Sequence, residues 1–231
     1  MNYFYDGCIP KELEQLIKKG CIRGVTTNVN FVVDYAKSEN INSYFEAVRP
    51  CYEIAKKHNS NLPFSIQAIG KSPEELIESA LKIRDNFSEG VKLYIKIPVN
   101  YNNLDVIHKL STSESINVNA TCITSFLQAS IANSAGASIL SYFWGKMSDE
   151  GIDPSVHVVS LKNYLKENKS ESQILCGSIR QSSIIHDAYI SGADILTLPF
   201  NYFSKISERT KSDEATDIFN QAWYSSDLSL T

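Results

Sequence analysis

Lys96 is the residue in this 231-residue chain best suited to covalent chemistry. It sits in Val91-Lys92-Leu93-Tyr94-Ile95-Lys96-Ile97-Pro98-Val99, a run of β-branched and aromatic residues closed by a proline. Such a run reads as a strand, with Val91, Leu93, Ile95 and Ile97 on one face and Lys92, Tyr94 and Lys96 on the other. Lys96 falls at the C-terminal end. Apolar surroundings strip solvation from an ammonium and lower its pKa. A lysine brought to about 7–8 is partly free amine at neutral pH, the form that attacks a ketone to make a Schiff base. The plainer reading of a lone strand lysine is a side chain that reaches out of the strand end into an ion pair. Other polar residues at the ends of apolar runs tip the choice. Asp6, Thr26, Asn28, Gln67, Asn119, Thr121, Ser141 and Ser178 all occupy such ends. Each alone reads equally as a turn residue or helix cap. Together they form a ring of acid, amides and hydroxyls around one lysine, which is how small-molecule sites are built.

The elements that must position this ring alternate along the chain. Strands are expected over 3–7, 22–28, 63–69, 91–99, 115–122, 138–143, 173–178 and 193–200. Helices are expected over 9–19, 31–37, 43–57, a segment opened by Ser72-Pro73-Glu74-Glu75, 103–110, 124–134, 155–167 and 180–190. A last amphipathic helix spans 212–223. Eight strands alternating with helices predict a single (β/α)8 barrel over 1–231 with an extra C-terminal helix. In that fold catalytic groups sit at the C-terminal strand ends, where the polar ring lies. A doubly wound open sheet is the competing fold, weakened by the lack of a glycine-rich phosphate or dinucleotide fingerprint.

Composition narrows the classes. The chain is 43% hydrophobic and 21% charged with a formal charge of −4, ordinary for a globular protein and unfavourable for nucleic-acid or anionic-membrane binding. No apolar run reaches transmembrane length, and Met1-Asn2-Tyr3-Phe4-Tyr5-Asp6 lacks the basic start and long apolar core of a secretion signal. Five cysteines (Cys8, Cys21, Cys51, Cys122 and Cys176), without a CxxC pair, suit reduced thiols in a cytoplasmic protein. The four histidines show no metal-binding spacing, so no metal or cofactor is expected.

Several motifs carry a resemblance across almost the whole chain. Gly24-Val25-Thr26-Thr27-Asn28, then Lys96-Ile97-Pro98, Asn119-Ala120-Thr121, Ala135 to Lys146, and Ile174-Leu175-Cys176-Gly177-Ser178-Ile179-Arg180 resemble the transaldolase family, in its order. The length resembles the short subfamily, which includes fructose-6-phosphate aldolases. The resemblance implies that Lys96 forms the Schiff base with a sugar phosphate ketone, while Asp6 moves the hydroxyl proton during carbon–carbon cleavage. It implies that Gln67 and Thr121 hold a water, and that Thr26, Asn28, Asn119, Ser141 and Phe143 surround the dihydroxyacetone part. Ser178 and Arg180, with Lys146, then receive the phosphate. Guanidinium and hydroxyl groups are good phosphate partners.

The chain departs from the family pattern at instructive places. The family usually has arginine where Lys146 stands, and lysine offers a point charge instead of a planar fork. Gln67 matches the aldolase branch, whereas transaldolases carry glutamate. Phe143 and Asn119 match transaldolases. Trp144 has no assigned role. The favoured expectation is a transaldolase of the pentose phosphate pathway that moves a dihydroxyacetone unit from a ketose phosphate (sedoheptulose 7-phosphate or fructose 6-phosphate) to an aldose phosphate. The alternative is an aldolase that releases free dihydroxyacetone, and the third reading is a degraded barrel that only binds sugar phosphates. The short subfamily's likeness also implies a homo-oligomer.

Overall fold

The computed structural model describes residues 1–58, 61–205 and 210–229. Its strands are β1 (Asn2–Asp6), β2 (Val25–Thr26), β3 (Pro63–Gln67), β4 (Lys92–Pro98), β5 (Val118–Ile123), β6 (Ile139–Phe143), β7 (Gln173–Gly177) and β8 (Ile195–Leu198). All neighbours are parallel, and β8 pairs back to β1 to close an eight-stranded barrel in sequence order. The helices are α1 (Pro10–Lys18), α2 (Val29–Ser38), α3 (Tyr44–His58), α4 (Pro73–Phe87), α5 (Leu104–Thr112), α6 (Phe126–Ser134), α7 (Trp144–Asp149), α8 (Pro154–Glu167), α9 (Ser183–Ile190), α10 (Phe200–Ser204) and α11 (Thr210–Tyr224). The expected barrel with an added C-terminal helix is therefore present.

Short polar caps open several of the helices. Asn28, Ser72 and Ser125 accept from the backbone N–H three residues on, at the starts of α2, α4 and α6. Asp153 caps α8, with Pro154 in its first turn. These caps leave the preceding strand ends short and fixed, which is what a site built on strand ends needs.

Alternation along each strand sorts the residues into two cores. Outward residues such as Ile95, Ile97, Val118, Ala120, Leu140 and Tyr142 are buried in the large core beneath the helices. Inward residues Phe4, Tyr94, Ile139, Leu175 and Ile195 form a smaller cluster of their own. Each of these five stands two residues before an inward residue of the upper barrel: Asp6, Lys96, Ser141, Gly177 and Thr197. Two residues of strand rise about 6.6 Å, so the apolar cluster is a floor one layer below the polar groups.

The structure redraws several sequence boundaries. The second strand shrinks to Val25–Thr26, although Arg23 N–H and the Gly24 carbonyl already pair with β1. Gly24 is required there: a Cβ would stand 2.5 Å from the Phe4 ring. Ser115 takes a left-handed conformation (φ 52°), so the fifth strand starts later, at Val118. Ser178 does likewise (φ 59°), which delays the next helix from the expected Arg180 to Ser183. The short α7 and α10 had no counterpart among the expected elements.

Candidate functional site

A cavity of about 230 Å³ opens above the apolar floor. Its walls include Asp6 from β1, Thr26 from β2, Asn28 at the start of α2, Lys96 from β4 and Thr121 from β5. Ser141 and Phe143 from β6, Ser178 after β7 and Thr197 from β8 complete them. Eight residues singled out from sequence thus meet in one space.

Lys96 is 6% exposed, and its Nζ donates to the Thr27 carbonyl at 2.7 Å. That carbonyl is held in turn because Thr27 N–H bonds the Ser65 carbonyl. Burial lowers the lysine pKa from its ordinary value, while the Asp6 and Cys122 charges raise it. Asp6 mirrors this: burial raises its pKa, and Lys96 and the Thr26 hydroxyl lower it. Low polarity draws both groups toward their neutral forms, and their mutual attraction resists. The outcome is a lysine whose free amine lies closer in energy than it would in water.

Hydrogen bonds fix the rest of the ring. Thr26 Oγ1 donates to Asp6 Oδ1 at 2.8 Å and lies 2.7 Å from Thr197 Oγ1. Below the rim, Ser141 Oγ donates to Asn119 Oδ1 at 2.6 Å, and Asn119 Nδ2 donates to Ser65 Oγ at 3.2 Å. Asn119 is fully buried and is not on the cavity walls, which it reaches only through Ser141. Asn28 Oδ1 is spent on the Phe31 N–H as a helix cap. The Thr121 hydroxyl is buried with no hydrogen-bond partner among the described residues. A buried hydroxyl left open beside a lysine is where a water or a substrate oxygen belongs. The next residue, Cys122, has φ 63°, at a register shift between β5 and β6. Such an irregularity lets β5 keep Thr121 pointing inward while the strand bends.

Besides Asn119, three expected site residues stand apart from the cavity walls. Gln67 pairs in register with Lys96 on the neighbouring strand but is not part of the lining. Arg180 lies in an adjoining surface groove with Trp144, Gly145 and Asp149, and its guanidinium pairs with the Asp149 carboxylate. Lys146 is exposed on α7 and lines neither space. The α7 start nevertheless presses on the β7 loop: Gly145 N–H donates to the Ser178 carbonyl at 3.1 Å. A Cβ on Gly145 would stand 2.3 Å from that carbonyl and 2.8 Å from Arg180 Nε, so only glycine fits. Trp144, buried at 3% exposure, anchors this helix start.

Thr197 was missed in the sequence reading. The signal was present as a lone hydroxyl in the apolar run Ile195-Leu196-Thr197-Leu198, two residues past an inward isoleucine. The Thr27 carbonyl, being backbone, left no such signal.

The fold and cavity define a (β/α)8-barrel protein with a lysine-centred polar site at the C-terminal mouth, the place where barrel enzymes do chemistry. More narrowly, residues 3–228 match the family described as Transaldolase/Fructose-6-phosphate aldolase, and the chain belongs to that family of enzymes. A "Probable transaldolase" of Coprothermobacter proteolyticus is 30% identical over 223 residues, covering 96% of each chain. One of Thermoplasma volcanium is 29% identical over 223 residues, covering 96% of this chain and 95% of that one. One of Clostridioides difficile is 29% identical over 233 residues, covering all of both. Among solved structures, inosine 5' monophosphate dehydrogenase from Legionella pneumophila superposes with a TM-score of 0.55 at 12% identity. That match covers 86% of this chain and 58% of the other, and it speaks to the barrel fold alone. No helix among the described residues is long and apolar enough to cross a membrane.

Proposed function

We propose that this protein is a transaldolase that carries a dihydroxyacetone unit between sugar phosphates on Lys96. The single observation behind this reading is Lys96 itself, buried in a polar cavity with its amine held by a carbonyl and with the Asp6 charge acting on it. The free amine attacks the ketone carbon of fructose 6-phosphate or sedoheptulose 7-phosphate, and loss of water leaves an iminium. The iminium carries a fixed positive charge where a titratable amine stood, and it draws Asp6 into its carboxylate form. Asp6 then takes the C4 hydroxyl proton. The C3–C4 pair flows to the iminium nitrogen, an aldose phosphate leaves, and an enamine stays on Lys96. Attack of the enamine on a new aldose phosphate, with return of the proton from Asp6, and hydrolysis of the resulting iminium complete the transfer.

The surrounding groups take roles consistent with their positions. Thr121, its hydroxyl open, holds the water used in iminium formation and hydrolysis, with Gln67 next to Lys96 on the adjacent strand. Ser141, backed by Asn119, meets the dihydroxyacetone hydroxyls, as does Asn28 through its remaining amide. Thr26 supports Asp6, and Phe143 walls the cavity. Ser178 begins the phosphate site at the rim, and Arg180 and Lys146 supply positive charge beyond it. The protein works as a cytoplasmic homo-oligomer in the pentose phosphate pathway, without a cofactor.

Gln67 supports a second reading, an aldolase that protonates the enamine and releases free dihydroxyacetone. One assay separates the two. Fructose 6-phosphate is supplied with and without erythrose 4-phosphate, and sedoheptulose 7-phosphate and dihydroxyacetone are quantified. Sedoheptulose 7-phosphate as the main product supports transfer. Dihydroxyacetone released as fast with the acceptor as without it assigns the aldolase reading instead.

A further inference from the structure

Thr197 closes a chain of hydroxyls that ends on Asp6. It is 4% exposed on β8, the strand that completes the barrel beside β1. Its Oγ1 lies 2.7 Å from Thr26 Oγ1, which lies 2.8 Å from Asp6 Oδ1. Each threonine hydroxyl has one proton to give. When Asp6 is a carboxylate it can only accept, so the Thr26 proton points at Asp6. The short contact between the two threonines then has one donor left, Thr197. The chain runs in one direction, from Thr197 to Thr26 to Asp6.

We propose that Thr197 is a positioning residue for the reaction: by donating to Thr26 it commits the one Thr26 proton to Asp6 Oδ1 and leaves Asp6 Oδ2 to face the substrate hydroxyl. This rests on the proton-transfer role given to Asp6 above. Without Thr197 as donor, Thr26 Oγ1 loses the hydrogen bond it accepts, and the hydroxyl that holds the Asp6 carboxylate is no longer fixed from β8. Hydrogen bonds in such a chain polarise one another, so the Thr26–Asp6 bond is also weakened. The shape of the site does not depend on this hydroxyl. Thr197 Cγ2 packs by the α-carbon of Gly177, and a Cβ on that glycine would stand 3.1 Å from the methyl.

The direction of the pH effect follows from Asp6's neighbours. From β4, Lys96 stabilises the carboxylate, and from β5, Cys122 acts on Lys96 in turn. On the side of α1 and α2, Asp6 shares a second pocket with Tyr5, Cys8, Glu12, Asp34, Tyr35 and Glu39. None of these is altered by a change at Thr197. Weakening the Thr26 bond, which holds the Asp6 pKa down, moves the acidic limb of kcat to higher pH.

The test compares Thr197→Ser, Thr197→Cys and Thr197→Val in the intact protein, measuring kcat and KM for transfer from fructose 6-phosphate between pH 5 and 9. Valine keeps the shape and loses the donor, serine keeps the donor and loses the methyl, and cysteine is a weak donor. For Thr197→Val we expect kcat to fall roughly 5-fold, as for one lost hydrogen bond, with KM unchanged. Its acidic limb should rise by about half a pH unit, with cysteine between valine and serine. Should valine fail to fold, serine and cysteine still give the order. A flat series, or serine impaired as much as valine, overturns the positioning role in favour of packing alone. Asp6→Asn is run alongside. If it retains wild-type turnover, the role of Asp6 falls and Thr197's falls with it. If it is inactive while the Thr197 series is flat, only the inference about Thr197 is lost.

Discussion

The two ends of the site are built in opposite ways. Lys96 and Asp6 are held by groups from other parts of the barrel, through Thr26, Thr27 and Thr197. Around Ser178, the positive groups lie on the surface. Arg180 and Asp149 are each 47% exposed, against 6% for Lys96. An exposed ion pair is worth about 0–1 kcal/mol, so Asp149 holds Arg180 only loosely. A buried amine held by a fixed carbonyl has no comparable freedom. On the proposed function, the chemical end is set before substrate arrives, and the phosphate end is free to be set by the phosphate itself. Binding energy gathered at the loose end can then serve to place the ketone against the rigid one.

The largest expected effect tests the rigid end. Lys96→Met should abolish both transfer and the borohydride-trapped three-carbon adduct, with a rate loss on the order of 10⁴-fold or more, as removal of a nucleophile gives. In wild type, trapping should already be fast at neutral pH. The rate follows the free amine, so it rises with pH through the lysine pKa, which burial has lowered. A trapping midpoint in the ordinary lysine range, or an adduct on another lysine by peptide mass, would remove Lys96 from the centre of the site.

A smaller effect is expected at the loose end. Arg180→Ala should raise KM for fructose 6-phosphate about 10-fold while leaving KM for free dihydroxyacetone as donor within about 2-fold. Loss of a charge-assisted bond suggests about 1.5–3 kcal/mol, and the exposure of Arg180 puts the effect at the lower end. Asp149 must be released for the phosphate to gain the guanidinium, which lowers the net benefit further. Equal damage to both donors would mean that Arg180 holds α7 against the β7 loop and takes no part in phosphate binding.

The same contrast governs what the sequence could reveal. Lys96, Asp6, Thr26, Thr121 and Ser141 lie on strands, where period two fixes which way a side chain points, so apolar neighbours alone told that they converge. Arg180 follows Ser178, whose left-handed backbone turns the chain out of register. No pattern of residue types announces that turn at a serine. Lys146 sits on α7, six residues long and too short to show a helical period. Asn28 was legible as a polar strand end, yet the same residue reads as a cap, and it is one. Thr197 shows the opposite failure: its strand was found, and its hydroxyl was passed over among apolar neighbours.

Phe143 joins the two ends, closing β6 and opening α7, and it lines the cavity partly buried. It gives the smallest and most discriminating effect. In the proposed mechanism, transfer and cleavage share the enamine on Lys96 and part only when that enamine meets either an aldehyde or a proton. An aromatic ring without a hydroxyl offers the catalytic water no hydrogen bond, so the enamine waits for the acceptor. A hydroxyl added at this wall orients and polarises the water and speeds protonation. Phe143→Tyr should therefore raise the ratio of dihydroxyacetone release to transfer about 5-fold, the worth of one neutral hydrogen bond. Phe143→Leu, which changes packing and adds no hydroxyl, should leave the ratio within 2-fold of wild type, taken as about 0.4 kcal/mol. Gln67→Glu should move it toward transfer, since an ionisable group beside Lys96 on the next strand restores the transaldolase pattern. Partition is measured at one fixed acceptor concentration, so changes in total rate cancel. If Phe143→Leu shifts the ratio as far as Phe143→Tyr does, Phe143 acts through the shape of the cavity, and the water must be controlled from Thr121 alone.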